Sequence, residues 1–292
     1  MTTSNILSIL ITGATGTIGS ELARQLSAQG IPFRALVRSL ENTQELASLP
    51  GAELIVGDMS NDKSIEKALT GIEKAFLLTN SSEQAEQLQL NFVDSAMRAG
   101  VRHIVKLSQF AADVNSPVRF LRYHAAVEQR IKESGIDYTF LRPNLFMQGL
   151  FGFREPIAKQ NKFFASVGEA KISLVDIRDI AAVAAKALTS PGHEGKIYNL
   201  TGPQALSHQE IAEYLSYELK RSILFINVSP EDMRNALLSV GFPEWQANGL
   251  IEDYAHYARG EASAISSDIE VITGKSARSF DNFVKEYASL FS

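Results

Sequence analysis

The feature that most constrains this chain is a glycine-rich turn near its start. Within ILITGATGTIGSELARQLSAQG, Gly13, Gly16 and Gly19 are spaced G-x-x-G-x-x-G, directly after an apolar run and at the head of a stretch whose apolar positions Ile18, Leu22 and Leu26 recur every four residues. That pattern is strand, tight turn, amphipathic helix. In such a turn the first glycine permits the sharp reversal, the second lets backbone approach a pyrophosphate, and the third lets the helix lie close on the strand. The helix N-terminus adds unpaired N–H groups and a partial positive charge. The spacing predicts a dinucleotide site at the end of the first strand.

The pattern then repeats. The runs NILSILIT, PFRALV, AELIVG, KAFLLT, HIVKLS and DYTFLR read as strands, separated by helical stretches near Thr17–Gln29, Asp62–Leu69, Ala85–Ala99 and Phe120–Ser134. Strand alternating with helix predicts an α/β fold with a doubly wound parallel sheet, Rossmann-like. After Pro143 the texture changes to an aromatic segment, NLFMQGLFGFREPIAKQNKFF, then a strand KISLV, a helix Ile177–Leu188 and a strand KIYNL. Ser207 and Ser279 are N-cap candidates and Pro230 starts a helix. The division predicted is a dinucleotide-binding core over residues 1–143 and a smaller, mostly helical C-terminal cap over 144–292, with 172–202 returning to the core.

Which dinucleotide binds is read at the end of the second strand, where NAD binders place an acidic residue on the ribose hydroxyls. This chain has ALVRS, so Arg38 stands there. A guanidinium pairs with a 2′-phosphate that a carboxylate would repel, so NADP(H) is the expected cofactor. Arginines at strand ends are also common as plain surface residues.

Composition narrows the partners. The chain of 292 residues contains no cysteine, which excludes disulfides, thiolate metal sites and a cysteine nucleophile, and no metal site is expected. A formal charge of −5 is unlike the basic patches that hold nucleic acid, so no nucleic acid partner is expected. The apolar run from Ile6 to Ile11 is far below the ~20 residues of a membrane span. No membrane association and a cytoplasmic location are the resulting expectations.

With these residues in view, the chain resembles the NmrA-like, atypical short-chain dehydrogenase/reductase family. ITGATGTIG, ALVRS, VGDMSN, FLLT, HIVKLS, HAAVEQRIKESGIDYTFLRPNLF, VDIRDIAAVAAKAL and YNLTGPQALSHQEIAEYLS are similar to its successive landmarks. Within the family it looks closest to the bacterial branch that reduces quinones and triphenylmethane dyes with NADPH. The resemblance implies that Thr15, Thr17 and Ile18 line the pyrophosphate, that Asp58 and Met59 flank the adenine, and that Leu78, Thr79 and Asn80 run past the ribose. It further implies that Ser108, Pro143 and Asn144 lie near the nicotinamide.

One signature is missing. Conventional short-chain dehydrogenases exchange a proton with substrate through a Tyr-x-x-x-Lys pair, and none of the eight tyrosines here has a lysine four residues later; Tyr123 is followed by Val127. Alcohol dehydrogenase and sugar-nucleotide epimerase chemistry are disfavoured, while hydride donation to a delocalised acceptor is not. The same helix instead carries His124 and Glu128 one turn apart. A histidine oriented by that carboxylate would protonate a reduced quinone oxygen; the other reading is a purely structural pair. Aromatic side chains after the sixth strand suit a planar acceptor, and Phe110, Phe146, Met147 and Phe151 are the candidate pocket residues. Two functions fit: an NADPH-dependent oxidoreductase passing hydride to a quinone or related aromatic, or a non-catalytic NADP(H)-sensing regulator.

Overall fold

The computed structural model describes residues 8–292, so residues 5–7 of the first predicted strand lie outside the described residues. Six strands follow one another: β1 (Ile9–Ile11), β2 (Phe33–Val37), β3 (Ala52–Val56), β4 (Lys74–Leu77), β5 (His103–Leu107) and β6 (Asp137–Pro143). Between them run α1 (Thr17–Ala28), the short α2 (Gln44–Ala47), α3 (Asp62–Leu69), α4 (Ala85–Ala99) and α5 (Arg119–Ser134). Beyond these come α6 (Arg154–Gln160), β7 (Lys162–Ala165), β8 (Lys171–Ile172), α7 (Ile177–Thr189) and β9 (Lys196–Leu200).

Seven strands make one sheet in the order β3-β2-β1-β4-β5-β6-β9, and every pairing from β3 across to β6 is parallel. The chain winds outward from β1 through β3 and then restarts beside β1 at β4, which is the doubly wound arrangement. Parallel pairing requires crossovers whose helices cover the sheet, so the strands are apolar. β1 and β5 are buried at every position. Against one face, Leu10, Leu77, Ile104 and Phe140 meet Ile65 and Leu69 of α3, Phe92 and Val93 of α4, and Val127 and Ile131 of α5. Each such side chain contributes about 1.5–3 kcal/mol by leaving water. Local signals set the helix ends: the Asn61 side chain accepts from Ser64 N to start α3, and Gly100 in the left-handed region stops α4.

The chain forms two compact units. Unit 1 holds residues up to Gln109, Tyr123–Arg142 and Ile180–Tyr198; unit 2 holds Phe110–Arg122, Pro143–Asp179 and Asn199–Ser292. Unit 2 has its own core, in which Met147, Phe163, Ile172, Ile211, Leu215, Phe280, Phe283 and Phe291 are buried together. Its remaining elements are β10 (Leu206–Ser207), α8 (His208–Leu219), β11 (Leu224–Asn227), α9 (Pro230–Ser239), α10 (Glu244–Ala258), α11 (Asp268–Thr273) and α12 (Phe280–Tyr287). Ser207 starts α8 in a reciprocal capping box with Glu210, Pro230 opens α9 behind Ser229, and Ser279 caps α12.

Two predicted features change form. KISLV is only the two-residue β8, paired antiparallel with β10, because Ser173 turns its N–H to Ala262 O at 3.1 Å and its hydroxyl to Ala264 O at 2.7 Å. The aromatic segment is a 3₁₀ run, Met147–Phe153, leading into α6, and β7 pairs in parallel with β11. No helix of the described residues is long and apolar enough to cross a membrane.

Candidate cofactor and active site

Because β1 to β5 are parallel, the segments that follow them emerge along one edge of the sheet. That edge gathers the glycine turn after β1, Arg38 after β2, Asp58 and Met59 after β3, Leu78–Asn80 after β4 and Ser108 after β5. The turn stands between β1 and β4, where the winding reverses and open α/β sheets bind ligands. Thr12 ties the two strands there: its hydroxyl donates to Leu78 O at 2.8 Å and accepts from Leu78 N at 2.8 Å. Sequence alone assigns this threonine no role, although it immediately precedes the turn.

The three glycines answer different demands. Gly13 has φ of +62°, and a Cβ on it would stand 3.0 Å from Leu78 Cγ and Leu78 O. A Cβ on Gly19 would lie 2.2 Å from Gly13 O, so α1 packs on the turn only without one. Gly16 differs. It has φ of −81°, and a Cβ there would meet only Gly13 O at 3.3 Å. Of the three, Gly16 is the least constrained: a Cβ there needs Gly13 O to give by a few tenths of an ångström and strikes nothing else, on an exposed stretch from Thr15 to Thr17. Gly16 also caps α1 without a side-chain hydrogen bond, and the first turn has no acidic residue. Ile18 buries its side chain in the protein, leaving its backbone in that first turn. A phosphate at this helix start would meet unpaired N–H groups on a face open to solvent, so the turn fits a pyrophosphate.

Around the turn, Arg38 is exposed and close enough to Asp58 to help hold that carboxyl below its usual range, after the larger effect of the Ser60 N–H and hydroxyl. Met59 packs against the unit 1 core. Thr79 accepts a hydrogen bond from the buried Gln89 at 2.8 Å, which leaves its own hydroxyl proton to donate; Asn80 is exposed.

Deeper along the same edge is a buried polar group. Ser108 donates to Glu128 Oε1 at 2.5 Å, and Arg142 grips the same carboxylate from β6 at 2.5 and 3.0 Å. Glu128 therefore does not orient His124, contrary to what their helical spacing predicts. The histidine Nδ1 instead lies 2.7 Å from Nζ of Lys106, and the Tyr123 ring sits 4.1 Å from the imidazole. Two longer-range cations have divided the pair: Arg142 takes the acid and Lys106 the base. Burial, the Lys106 charge and Arg142 hold His124 well below the ordinary histidine range, so it is neutral at neutral pH. Lys106 is fully buried, and burial pulls its ammonium down to about 7, with Glu128 opposing and Arg142 assisting. A lysine inside an apolar strand was the available signal for this group.

In unit 2, Pro143 ends β6 and its carbonyl accepts from Phe110 N at 2.9 Å. Asn144 is buried and spends both amide donors within the unit, on Ser173 Oγ and Ala262 O, each at 2.8 Å. Phe110 and Phe146 are half-buried, and Ala111 beside Phe110 holds φ of +61°. Two of the predicted pocket residues belong to packing instead. Met147 is 1% exposed in the unit 2 core, and Phe151 packs against Phe283, Tyr287 and Phe291 at centroid distances of 5.6, 5.1 and 6.1 Å. The three-residue period of the 3₁₀ run puts Met147 and Leu150 on one buried face with Phe151 packed beside it, which aromatic content alone does not reveal.

Among the described residues no cluster of three or more histidine, cysteine or acidic side chains is placed to hold a metal. The chain is 37% identical to an NAD(P)H azoreductase of Xenophilus azovorans, over 97% of this chain and 99% of that protein. It superposes on the NADPH complex of an Escherichia coli NADPH-dependent quinone oxidoreductase with a TM-score of 0.87 at 28% identity, covering 97% of this chain and all of that one. The NADP(H) complex of a Citrobacter triphenylmethane reductase gives 0.85 at 30% identity, over 96% and 99% of the two chains. Negative transcriptional regulators of similar fold stand further off at 18% identity, a likeness that carries the fold alone. The NmrA-like family matches residues 7–288, and the chain belongs to that family.

Proposed function

We propose that this protein is an NADPH-dependent reductase of planar, electron-poor aromatic acceptors such as quinones, azo compounds or cationic dyes. The observation that carries the reading is the glycine turn between β1 and β4, an exposed helix start capped by Gly16 with no acidic residue in its first turn, where a pyrophosphate meets free N–H groups. In this reading Gly13, Thr15, Gly16, Thr17, Ile18 and Gly19 cradle the phosphates, Arg38 takes the 2′-phosphate, and Asp58 and Met59 flank the adenine. Leu78, Thr79 and Asn80 follow the ribose, and Ser108, Pro143 and Asn144 border the nicotinamide end. Ser108 donates its hydroxyl hydrogen bond to Glu128, so toward a ligand it offers lone pairs, suited to a carboxamide N–H. Asn144 acts through the backbone it braces.

NADPH supplies the hydride when bound. Without a Tyr-x-x-x-Lys pair, the chain suits acceptors whose delocalised electrons take hydride before any proton arrives. The relatives named above have acceptors of that kind in their names, and Phe110 and Phe146 are the half-buried aromatic faces offered for stacking. The test is a panel of a benzoquinone, an azo dye, a triphenylmethane dye and a simple ketone, each with NADPH and the purified protein. Nicotinamide oxidation with at least one of the first three and none with the ketone is expected. Turnover of the ketone alone, or of nothing, would contradict the assignment.

A further inference from the structure

Lys106 is a poor choice for packing. It lies on β5, a strand buried at every position, and its side chain is wholly enclosed. Its Nζ donates to Leu107 O at 3.0 Å and meets His124 Nδ1 at 2.7 Å, so its partners are a carbonyl and an imidazole rather than a carboxylate. Glu128 on α5 is already held by Arg142 from β6 and by Ser108. An apolar residue would fill such a site at lower cost in desolvation. What a lysine adds is a proton.

The geometry also fixes where the histidine keeps its own proton. An ammonium has no lone pair, so opposite a charged Lys106 the His124 Nδ1 is the acceptor and the ring hydrogen is on Nε2. His124 thus offers a neutral N–H donor, backed across 2.7 Å by a group that can replace the hydrogen it gives away. It sits on α5 beside Lys106, whose strand ends one residue before Ser108, on the edge assigned to the nicotinamide.

Resting on the reductase reading, we propose that Lys106 is the proton reserve of His124, which protonates the anion left when a quinone or azo acceptor has taken up hydride. The Nε2–H bond of His124 breaks as its hydrogen bonds to the acceptor oxygen or nitrogen, and Nδ1 takes a proton from Lys106 Nζ. The acceptor becomes neutral, His124 remains neutral as its other tautomer, and Lys106 is left as an amine. The pair resets when Nδ1 returns its proton to Lys106 and Nε2 takes one from water. His124 is the catalytic residue, and Lys106 acts through it.

Nitrogen-15 spectra of the histidines in the unliganded protein test the pair without any turnover. In the native chain His124 should show Nε2 protonated and Nδ1 bare, and its Nδ1 signal should move as Lys106 titrates through about 7. In Lys106→Met that movement should vanish. Lys106→Gln keeps a donor to Nδ1 but has no proton to spare. Both variants should lose at least tenfold in quinone turnover, within the range a positioned general acid supplies, while reduction of a cationic triphenylmethane dye, which needs no proton, stays within twofold. In the native protein the quinone-to-dye rate ratio should fall as pH rises and Lys106 loses its charge; this reading stands even if neither variant folds. Equal losses on both acceptors, an unchanged quinone rate, or a ratio flat with pH would overturn the relay. Should the native protein reduce neither acceptor, the reductase reading fails, and the relay with it; the spectra would still report the Lys106–His124 pair.

Discussion

Arg38 is the single side chain proposed to decide between two cofactors. It stands exposed just past β2, and its charge helps hold the Asp58 carboxyl below its usual range. A 2′-phosphate brought there gains a charge-assisted pairing that NADH cannot offer. Arg38→Asp should weaken NADPH binding roughly tenfold to hundredfold and erase or reverse the preference over NADH, as read by titrating each cofactor. Equal affinity of the native protein for both would remove Arg38 from the site. At this scale the sequence was legible where a residue acts through its position on the backbone, as Gly13 and Gly19 do. It was illegible where side chains choose among distant partners. His124 and Glu128 share a helix face, yet Arg142 and Lys106, far from them in sequence, outcompete the short-range pairing. Met147 and Phe151 carry the right chemistry for a pocket, and their helical phase sends them into a core instead.

Among elements, the β1–turn–α1 unit separates folding from binding. Gly19 is needed by the fold, because a Cβ would strike Gly13 O at 2.2 Å; Gly16 is constrained far less, because its φ is ordinary and its Cβ would press only on Gly13 O at 3.3 Å. Gly16→Val should therefore keep the native circular dichroism and lose NADPH binding, with a melting temperature lowered less than by Gly19→Ala. A Gly16→Val protein that binds NADPH unchanged would sink the phosphate cradle. Elements of this kind were readable because their ends are local: Asn61 before α3, Gly100 after α4 and the Ser207 capping box before α8 each act within a turn of the chain. The β7–β11 pairing was not. It joins Lys162–Ala165 to Leu224–Asn227 with no turn between them to announce it, and the short β8 looked longer because Leu174 and Val175 are apolar for reasons of burial.

For the whole molecule, the strand order follows from the alternation of strand and helix, since parallel crossovers leave few ways to wind. The course of the chain between units 1 and 2 does not: it passes from one to the other at five points, including the short excursion Phe110–Arg122, where no composition shift marks a boundary. The central claim is that hydride goes directly from NADPH to the acceptor. The measurement is made with NADPH deuterated at its transferable position and a cationic triphenylmethane dye, followed by mass spectrometry of the colourless product. Direct transfer leaves one deuterium on the central carbon of the product dye. A product without deuterium, with the label washed into water, or NADPH left unconsumed in the presence of dye, would contradict it.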